Sequence, residues 1–394
     1  MKHAILSHSA ICLSLFYVGN VCAQSTGDTA AAPAAAPMTT PAMTGPLAAN
    51  PAPTSFDTGV LGTWTVTGAV TGLALSQDNH VPGDRSTRTD LSNGQVFIQK
   101  ATGQLQFFVQ AGTYSIPSLG TGYLSANKTT SGLYGNVPQA FIKYVPNDHF
   151  SLMAGKLPTL VGSEYTFTFE NMNIERGLLW NQENAVNRGV QATYVQGPVT
   201  ASVSVNDGYY SSHYSWVWGS LAYTIDKNNS LSFIAGGNTD QTTRSTLATP
   251  LLQDNSQIVN LNYTHLDGAW TIAPSLQYTR VPSNSELGIA RSASTAGVAL
   301  LANYAVSSNF SLAGRAEYIS SNGSAANGSP SLLYGPGSKA WSLTLTPTYQ
   351  NKLLFVRAEV SYVKATSVTP GFAFGRNLDN TAQSRVLIET GLLF

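Results

Sequence analysis

The last ten residues, Arg385-Val-Leu-Ile-Glu-Thr-Gly-Leu-Leu-Phe394 ("RVLIETGLLF"), carry an alternation that bears on the whole chain. Val386, Ile388, Thr390, Leu392 and Phe394 occupy every second place, while Arg385 and Glu389 stand on the opposite parity. A period of two is the period of a β-strand, whose side chains point alternately to its two faces. One face of this strand is apolar to its very end and the other bears charge. A free terminal phenylalanine on the apolar face needs something other than water against it.

The same alternation runs upstream. "TWTVTGAVTGLAL" places Trp64, Val66 and Val70 opposite Thr63, Thr65, Thr67 and Thr71. "VTASVSVND" sets Val199, Ala201, Val203 and Val205 against Thr200, Ser202, Ser204 and Asn206, and "WSLTLTPTY" sets Trp341, Leu343, Leu345 and Tyr349 against Ser342, Thr344, Thr346 and Thr348. Sixteen such runs are expected: 62–75, 95–101, 103–114, 136–145, 148–157, 188–196, 198–208, 215–225, 229–239, 256–266, 268–281, 295–305, 308–320, 339–350, 352–364 and 382–394. Their connections alternate between short ones ("ATG", "PND", "QGP", "DKNN", "LDG", "SSN", "QNK") and mostly long ones, 158–187 being the longest. That rhythm predicts an all-β, up-and-down antiparallel barrel standing in a membrane, with tight turns on one side and long loops on the other.

Composition agrees. Only 10% of the 394 residues are charged, with 20 acidic against 20 basic, where soluble proteins carry about 25%. The polarity comes from hydroxyls and amides. The charge balance suggests no nucleic-acid partner. A soluble strand protein would turn lysines and glutamates outward to keep its strands apart; Ser, Thr, Asn and Gln faces suit a water-filled lumen, with apolar faces turned to outer-membrane lipids. Tyrosines mark the ends of the runs: Tyr144, Tyr194, Tyr223, Tyr263, Tyr304 and Tyr349 precede short turns, and Tyr278, Tyr318 and Tyr362 lie near the far ends. Such aromatic rings form the girdles of a membrane barrel.

The chain begins with Lys2, an apolar run from Ala10 to Val18, and Val21 and Ala23 before Gln24. This predicts a signal peptide over 1–23, cleaved on export, in a bacterial outer-membrane protein. Cys12 and Cys22 both lie inside it, so the mature chain has no cysteine for a disulfide or metal site. Residues 24–61 are rich in Ala, Pro and Thr and read as a flexible periplasmic tail. The barrel is expected over 62–394. Leu392 and Phe394, on the lipid-facing parity, are then a membrane-assembly signal read by the barrel-insertion machinery.

Candidate functional residues follow from the longest connection. "PTLVGSEYTFTFENMNIERGLLWNQENAVN" carries Glu164, Glu170, Glu175, Arg176 and Glu183, with Lys156 and Arg188 at its roots. Long loops tend to be functional or disordered, and folded inward this one would narrow the bore; solvated charges on an external loop are the alternative. "GRAEYIS" and "VRAEVSY" place Arg315 with Glu317 and Arg357 with Glu359 on the lumenal parity, and Glu389 on the closing strand is within reach of Arg357. Such residues can form a charged ladder that screens solutes or a neutralised network that holds the wall. His80, His149, His213 and His265 have no obvious serine or carboxylate partner for nucleophilic catalysis. No metal-spaced cluster or phosphate loop is present. Neither an enzyme nor a cofactor is expected.

The stretch Gly155–Tyr194 resembles the β-barrel porin-2 (OmpL-like) family. The resemblance rests on Gly155, Lys156 and Pro158, on Gly162 and Glu164, on Asn173, Arg176, Leu178 and Leu179, and on Gly189 and Val190. It implies an outer-membrane pore without catalytic residues; with the polar lumen, the reading is a porin that passes small hydrophilic solutes by passive diffusion. A substrate-selective channel for sugars or carboxylates and a non-transporting, structural or adhesive barrel are the alternatives. Porins of this size are often homotrimers, although no residue here argues for one.

Overall fold

The computed structural model describes Met38 and residues 40–394; the expected leader (1–23) and the first part of the tail lie outside the described residues. A short strand β1 (Thr54–Asp57) precedes the barrel strands. These begin with β2 (Thr63–Gln77), β3 (Thr87–Lys100), β4 (Leu105–Tyr114), β5 (Gln139–Asn147) and β6 (Phe150–Pro158). β7 (Val186–Gln196), β8 (Val199–Asn206), β9 (Trp216–Thr224), β10 (Asn229–Asn238) and β11 (Gln257–Asp267) follow. β12 (Trp270–Val281), β13 (Ala293–Ala305), β14 (Phe310–Ser321), β15 (Lys339–Asn351), β16 (Leu354–Thr366) and β17 (Ala382–Leu393) complete the set. Each barrel strand pairs antiparallel with the next, and β17 pairs with β2 in the register Leu392↔Val70. This closes a sixteen-stranded barrel among the described residues and leaves no open edge.

The parity read from sequence holds around the wall. Val70, Val203, Leu343, Leu345, Val386 and Ile388 are exposed on the outside, as are Tyr144, Tyr194, Tyr223, Tyr304 and Tyr349 near the short turns. Thr71, Ser204, Thr344, Arg385 and Glu389 are buried within. A contiguous apolar belt of this extent belongs against lipid. The terminal phenylalanine has a seat. Phe394 exchanges backbone hydrogen bonds with Gly68 (2.8 and 3.0 Å), and a Cβ on Gly68 would come within 2.3 Å of its ring. The same Cβ would lie 2.7 Å from the Gln95 carbonyl oxygen, so a side chain at this position would displace ring or backbone. Beyond Phe394, β1 takes over the same edge of β2, pairing Thr54 with Val66 through Asp57 with Thr63.

Two departures from the expected layout have physical causes. The run expected at 95–101 starts at Thr87, because a bulge shifts the β2–β3 register between Thr71 and Gly72. Ser92 and Asn93 consequently both face inward; the alternation that would mark the strand is broken there. The tail expected to be flexible over 24–61 is placed from Thr40 onward. Met43 and Leu47 are buried inside the barrel, β1 is paired to β2, and a short helical turn (Gly59–Leu61) leads into β2.

Candidate functional site: the occupied bore

The connection between β6 and β7, residues 159–185, lies inside the barrel and is almost wholly buried. Its root is closed by the Thr159 N–H donating to the Ala185 carbonyl (3.2 Å). Its hold on the wall comes from inward-facing charges of β14, β16 and β17. The Glu359 carboxylate accepts the Ile174 and Glu175 N–H groups (2.5 and 3.1 Å) and the Thr346 hydroxyl (2.8 Å). Glu317 does the same for Leu178 and Leu179 (2.9 and 3.1 Å) and the Ser342 hydroxyl (2.7 Å). Each carboxylate thus caps two consecutive amides of irregular backbone, a charge-assisted contact roughly twice as strong as a neutral one.

Arginines complete the clamp. Arg357 pairs with Glu389 (2.6 Å) and donates to the carbonyls of Thr168 and Asn171 (2.6 and 3.1 Å). Arg315 pairs with Glu164 (2.6 Å) and Glu317 (3.2 Å) and donates to the Glu175 carbonyl (2.7 Å). Arg385 pairs with Glu175 (2.6 Å) and reaches the carbonyl of Ser118 (2.8 Å) in the 115–138 loop, which also dips into the bore. Arg176 is fully buried and donates only to carbonyls, those of Pro117, Thr166 and Ile174. In effect it is a cross-link between the two loops.

The sequence-selected residues therefore separate into groups. Glu164, Glu175, Arg176, Arg315, Glu317, Arg357, Glu359 and Glu389 come together in one buried network of ion pairs and hydrogen bonds. Glu170 accepts the Phe167 N–H (3.0 Å) within the loop, and its own carbonyl accepts from Thr44. Glu183 is buried against Gly162, with Oε2 lacking a hydrogen-bond partner. Lys156 and Arg188 are cross-strand neighbours whose partners lie at the long-loop rim. Lys156 donates to the Val137 carbonyl (2.7 Å), and Arg188 pairs with Asp207 (2.7 Å) and stacks on the Tyr210 ring. Neither joins the buried network: both stand at the roots of the loop, and their partners are rim carbonyls, a rim carboxylate and a rim ring.

An apolar patch inside the bore is not foreseen by an all-polar lumen. Phe97, Phe108 and Phe141 point inward from β3, β4 and β5 and pack with Phe167 and Phe169 of the loop. The signal is in the sequence as two-sided apolar runs, "QVFIQ" and "LQFFVQ". Both faces are greasy because one meets lipid and the other meets the loop.

On the opposite side the wall is different. Thr193, Thr200, Ser220, Thr224, Ser230, Ser232 and Thr264, facing inward from β7 to β11, are only half-buried. A notch of about 50 Å³ lies there, where Ser230, Ser232, Asn262 and Thr264 of the wall and Ser163 and Asn171 of the loop meet the apolar Met172, Ala222, Ala273 and Leu301. No charged side chain lines it.

One serine–histidine–aspartate grouping does occur: Ser215 Oγ is 3.1 Å from His213 Nδ1, and His213 Nε2 is 3.6 Å from Asp240. The histidine–carboxylate separation exceeds a hydrogen bond, and Asp240 is solvated on the surface. Such a carboxylate cannot orient the ring as a catalytic triad requires. Among the described residues no three potential metal ligands are grouped.

Residues 63–394 match the model of the family described as putative β-barrel porin-2, OmpL-like. The chain belongs to that family. Solved structures similar to this OmpL-like barrel include the outer-membrane channel DcaP of Acinetobacter baumannii, 11% identical, with a TM-score of 0.57 over 84% of this chain and 97% of that one. Another is OmpT of Vibrio cholerae, 12% identical, with a TM-score of 0.55 over 84% and 98% of the two chains. OmpT has also been solved in a trimer form (10% identity, TM-score 0.53, 84% and 99% covered). At these identities the likeness is one of fold. Among curated proteins none matches the sequence. The OmpL-like chain is a porin-like barrel of the bacterial outer membrane.

Proposed function

We propose that this barrel passes small, uncharged hydrophilic solutes by passive diffusion, along the β7–β11 side of a bore narrowed by the 158–187 loop. The observation that carries this reading is the asymmetry of the inner wall. The charges of β14–β17 are consumed in holding the loop, while the half-exposed surface opposite is hydroxyl-bearing and uncharged. A wall of Ser and Thr replaces part of a polyol's hydration shell and offers no field to sort ions. Of the two kinds of selective channel, it favours sugars over carboxylates, since no free cation lines the notch. No residue acts on the solute chemically. On this reading the leader over 1–23 is cleaved on export, the insertion machinery reads Leu392 and Phe394, and outer-membrane lipids cover the apolar belt. The barrel associates as a homotrimer, in the manner of the trimer form of OmpT.

The test is permeation. Purified protein in liposomes should support swelling in small neutral sugars, and in planar bilayers it should give ohmic current with weak ion selectivity. Current blocked by micromolar solute would favour a selective channel. No swelling and no current would leave a structural or adhesive barrel.

A further inference from the structure

The segment upstream of β1 has no part in the wall, yet it enters the bore. Met38 donates its N–H to the Ala101 carbonyl at a periplasmic turn (2.8 Å). The chain then rises to the 159–185 loop, where the Thr44 N–H and hydroxyl both donate to the Glu170 carbonyl (3.1 and 2.8 Å). It returns to the periplasmic end of β15, where Ala48 and Gln350 exchange two hydrogen bonds (2.8 and 2.9 Å). Met38, Met43 and Leu47 are buried. The result is a strap inserted from the periplasmic side, its tip resting on the constriction loop.

The tip is a close fit. A Cβ on Gly45 would lie 2.2 Å from the Asn171 carbonyl oxygen and 2.9 Å from the Met172 nitrogen. These are backbone atoms, which cannot swing aside, so no other residue seats here without displacing strap or loop. Thr44 lines the same notch as Ser230, Ser232 and Thr264. The strap therefore borders the passage that the proposed function assigns to solute.

Its attachment contrasts with that of the loop it touches. From Met38 to Phe56 the sequence has no charged residue, so no ion pair holds it. The Met38, Thr44 and Ala48 contacts are neutral hydrogen bonds, each worth about 0.5–1.5 kcal/mol net, while the Ala42 N–H is directed at the Glu170 carboxyl beside the tip. The loop instead is fixed by buried carboxylates and guanidinium groups. An Ala/Pro-rich chain is already extended and loses little freedom on insertion, so it can withdraw and return while the loop stays in place.

We propose that residues 38–50 are a displaceable periplasmic strap that sets the width, and hence the size limit, of the passage. The inference rests on the diffusion reading above but is separable from it by experiment. Two variants of the full chain test it: Gly45→Val, which cannot seat the tip, and deletion of residues 26–50, which leaves β1 and the barrel whole. Heat-modifiable migration on gels verifies that each barrel is folded. Single-channel conductance and liposome swelling with a graded series of sugars are then compared with the parent protein. Both variants are expected to conduct at least about twofold more and to admit larger sugars, with Gly45→Val matching the deletion. Current in the variants from a silent parent supports the strap equally, as a complete plug. A conducting parent whose conductance and size limit are unchanged by both variants overturns the strap while leaving diffusion standing. Silence of parent and both folded variants overturns the diffusion reading, and the strap with it.

Discussion

The β14–β17 and β7–β11 sectors belong to one barrel and share one outer face, yet their inner faces are opposites. The first presents Arg315, Glu317, Arg357, Glu359, Arg385 and Glu389, all buried under the loop. The second presents hydroxyls that remain half-exposed. Charge density on a lumenal wall is therefore a poor guide to where solute goes. A charged side chain in a bore attracts whatever backbone can satisfy it, and here that backbone is the protein's own loop. On the proposed reading, the bare, uncharged sector is left as the passage.

The largest expected effect comes from breaking one pair in the sealed sector. Arg357→Met leaves the Glu389 carboxylate buried with its guanidinium gone, and leaves the Thr168 and Asn171 carbonyls without their donor. A buried charge left uncompensated costs about 3–5 kcal/mol. The variant should unfold at markedly lower denaturant and be nicked by protease within 159–185. The double variant Arg357→Met/Glu389→Leu should regain most of the loss, since an apolar pair can replace a buried ionic one. A double variant as unstable as the single one would show that the carbonyl contacts, not the ion pair, hold the loop.

A smaller effect is expected at Glu359. Glu359→Gln keeps the shape but removes the charge that holds the Ile174 and Glu175 amides, and hydrogen bonds to charged groups contribute about 1.5–3 kcal/mol. Hydrogen exchange at those amides should speed up while exchange in β2–β13 stays as it was. Equal acceleration throughout the barrel would mean that loop and wall unfold as one unit.

The comparison also predicts where charge matters for permeation. Ser232→Lys sets a cation on the bare wall and should shift the anion-to-cation permeability ratio several-fold with little change in stability. The double Arg357→Met/Glu389→Leu, which removes two charges from the sealed sector, should leave that ratio unchanged. The opposite pattern would place the passage on the other side of the bore.

The barrel was legible because lipid outside and water inside impose period two on nearly every strand, and tight turns punctuate it. Legibility failed where a second covering intruded. In β3–β5 the loop's phenylalanines make both faces apolar, and at Ser92 a bulge places two neighbours on the same side. The inward location of Arg315, Glu317, Arg357, Glu359 and Glu389 could be read from parity alone. Their use could not, because pairing Glu359 with the Ile174 amide joins positions 185 residues apart. Lys156 and Arg188 looked like loop roots in sequence, but the roots stand at the rim, where Asp207 and Tyr210 are nearer than the bore. The strap escaped notice since an Ala/Pro-rich stretch has no periodicity with which to announce its seat.

A carboxylate at the top of the bare sector, without an ion-pair partner among the described residues, gives the smallest and most local prediction. Asp254 closes a short helix, Leu251–Asp254, in the 239–256 loop. Its Oδ1 accepts the Tyr209 N–H (3.2 Å) and the Trp216 indole N–H (3.2 Å), while Oδ2 has no hydrogen-bond partner. Burial pushes its pKa up to about 6, against the smaller opposing pull of those two donors. The folded value is above the unfolded one, so the neutral form favours the folded loop. Its contribution is complete below about pH 4 and is lost as pH rises through about 6. Protease should therefore open the 239–256 loop more readily at pH 8 than at pH 5. Asp254→Asn keeps an acceptor for the Tyr209 and Trp216 donors but cannot ionise, so its loop should lose that difference when both proteins are digested side by side at each pH. A wild-type loop with the same pH response as Asp254→Asn would mean that water reaches Oδ2, and that even the upper part of this sector is wetter than its burial indicates.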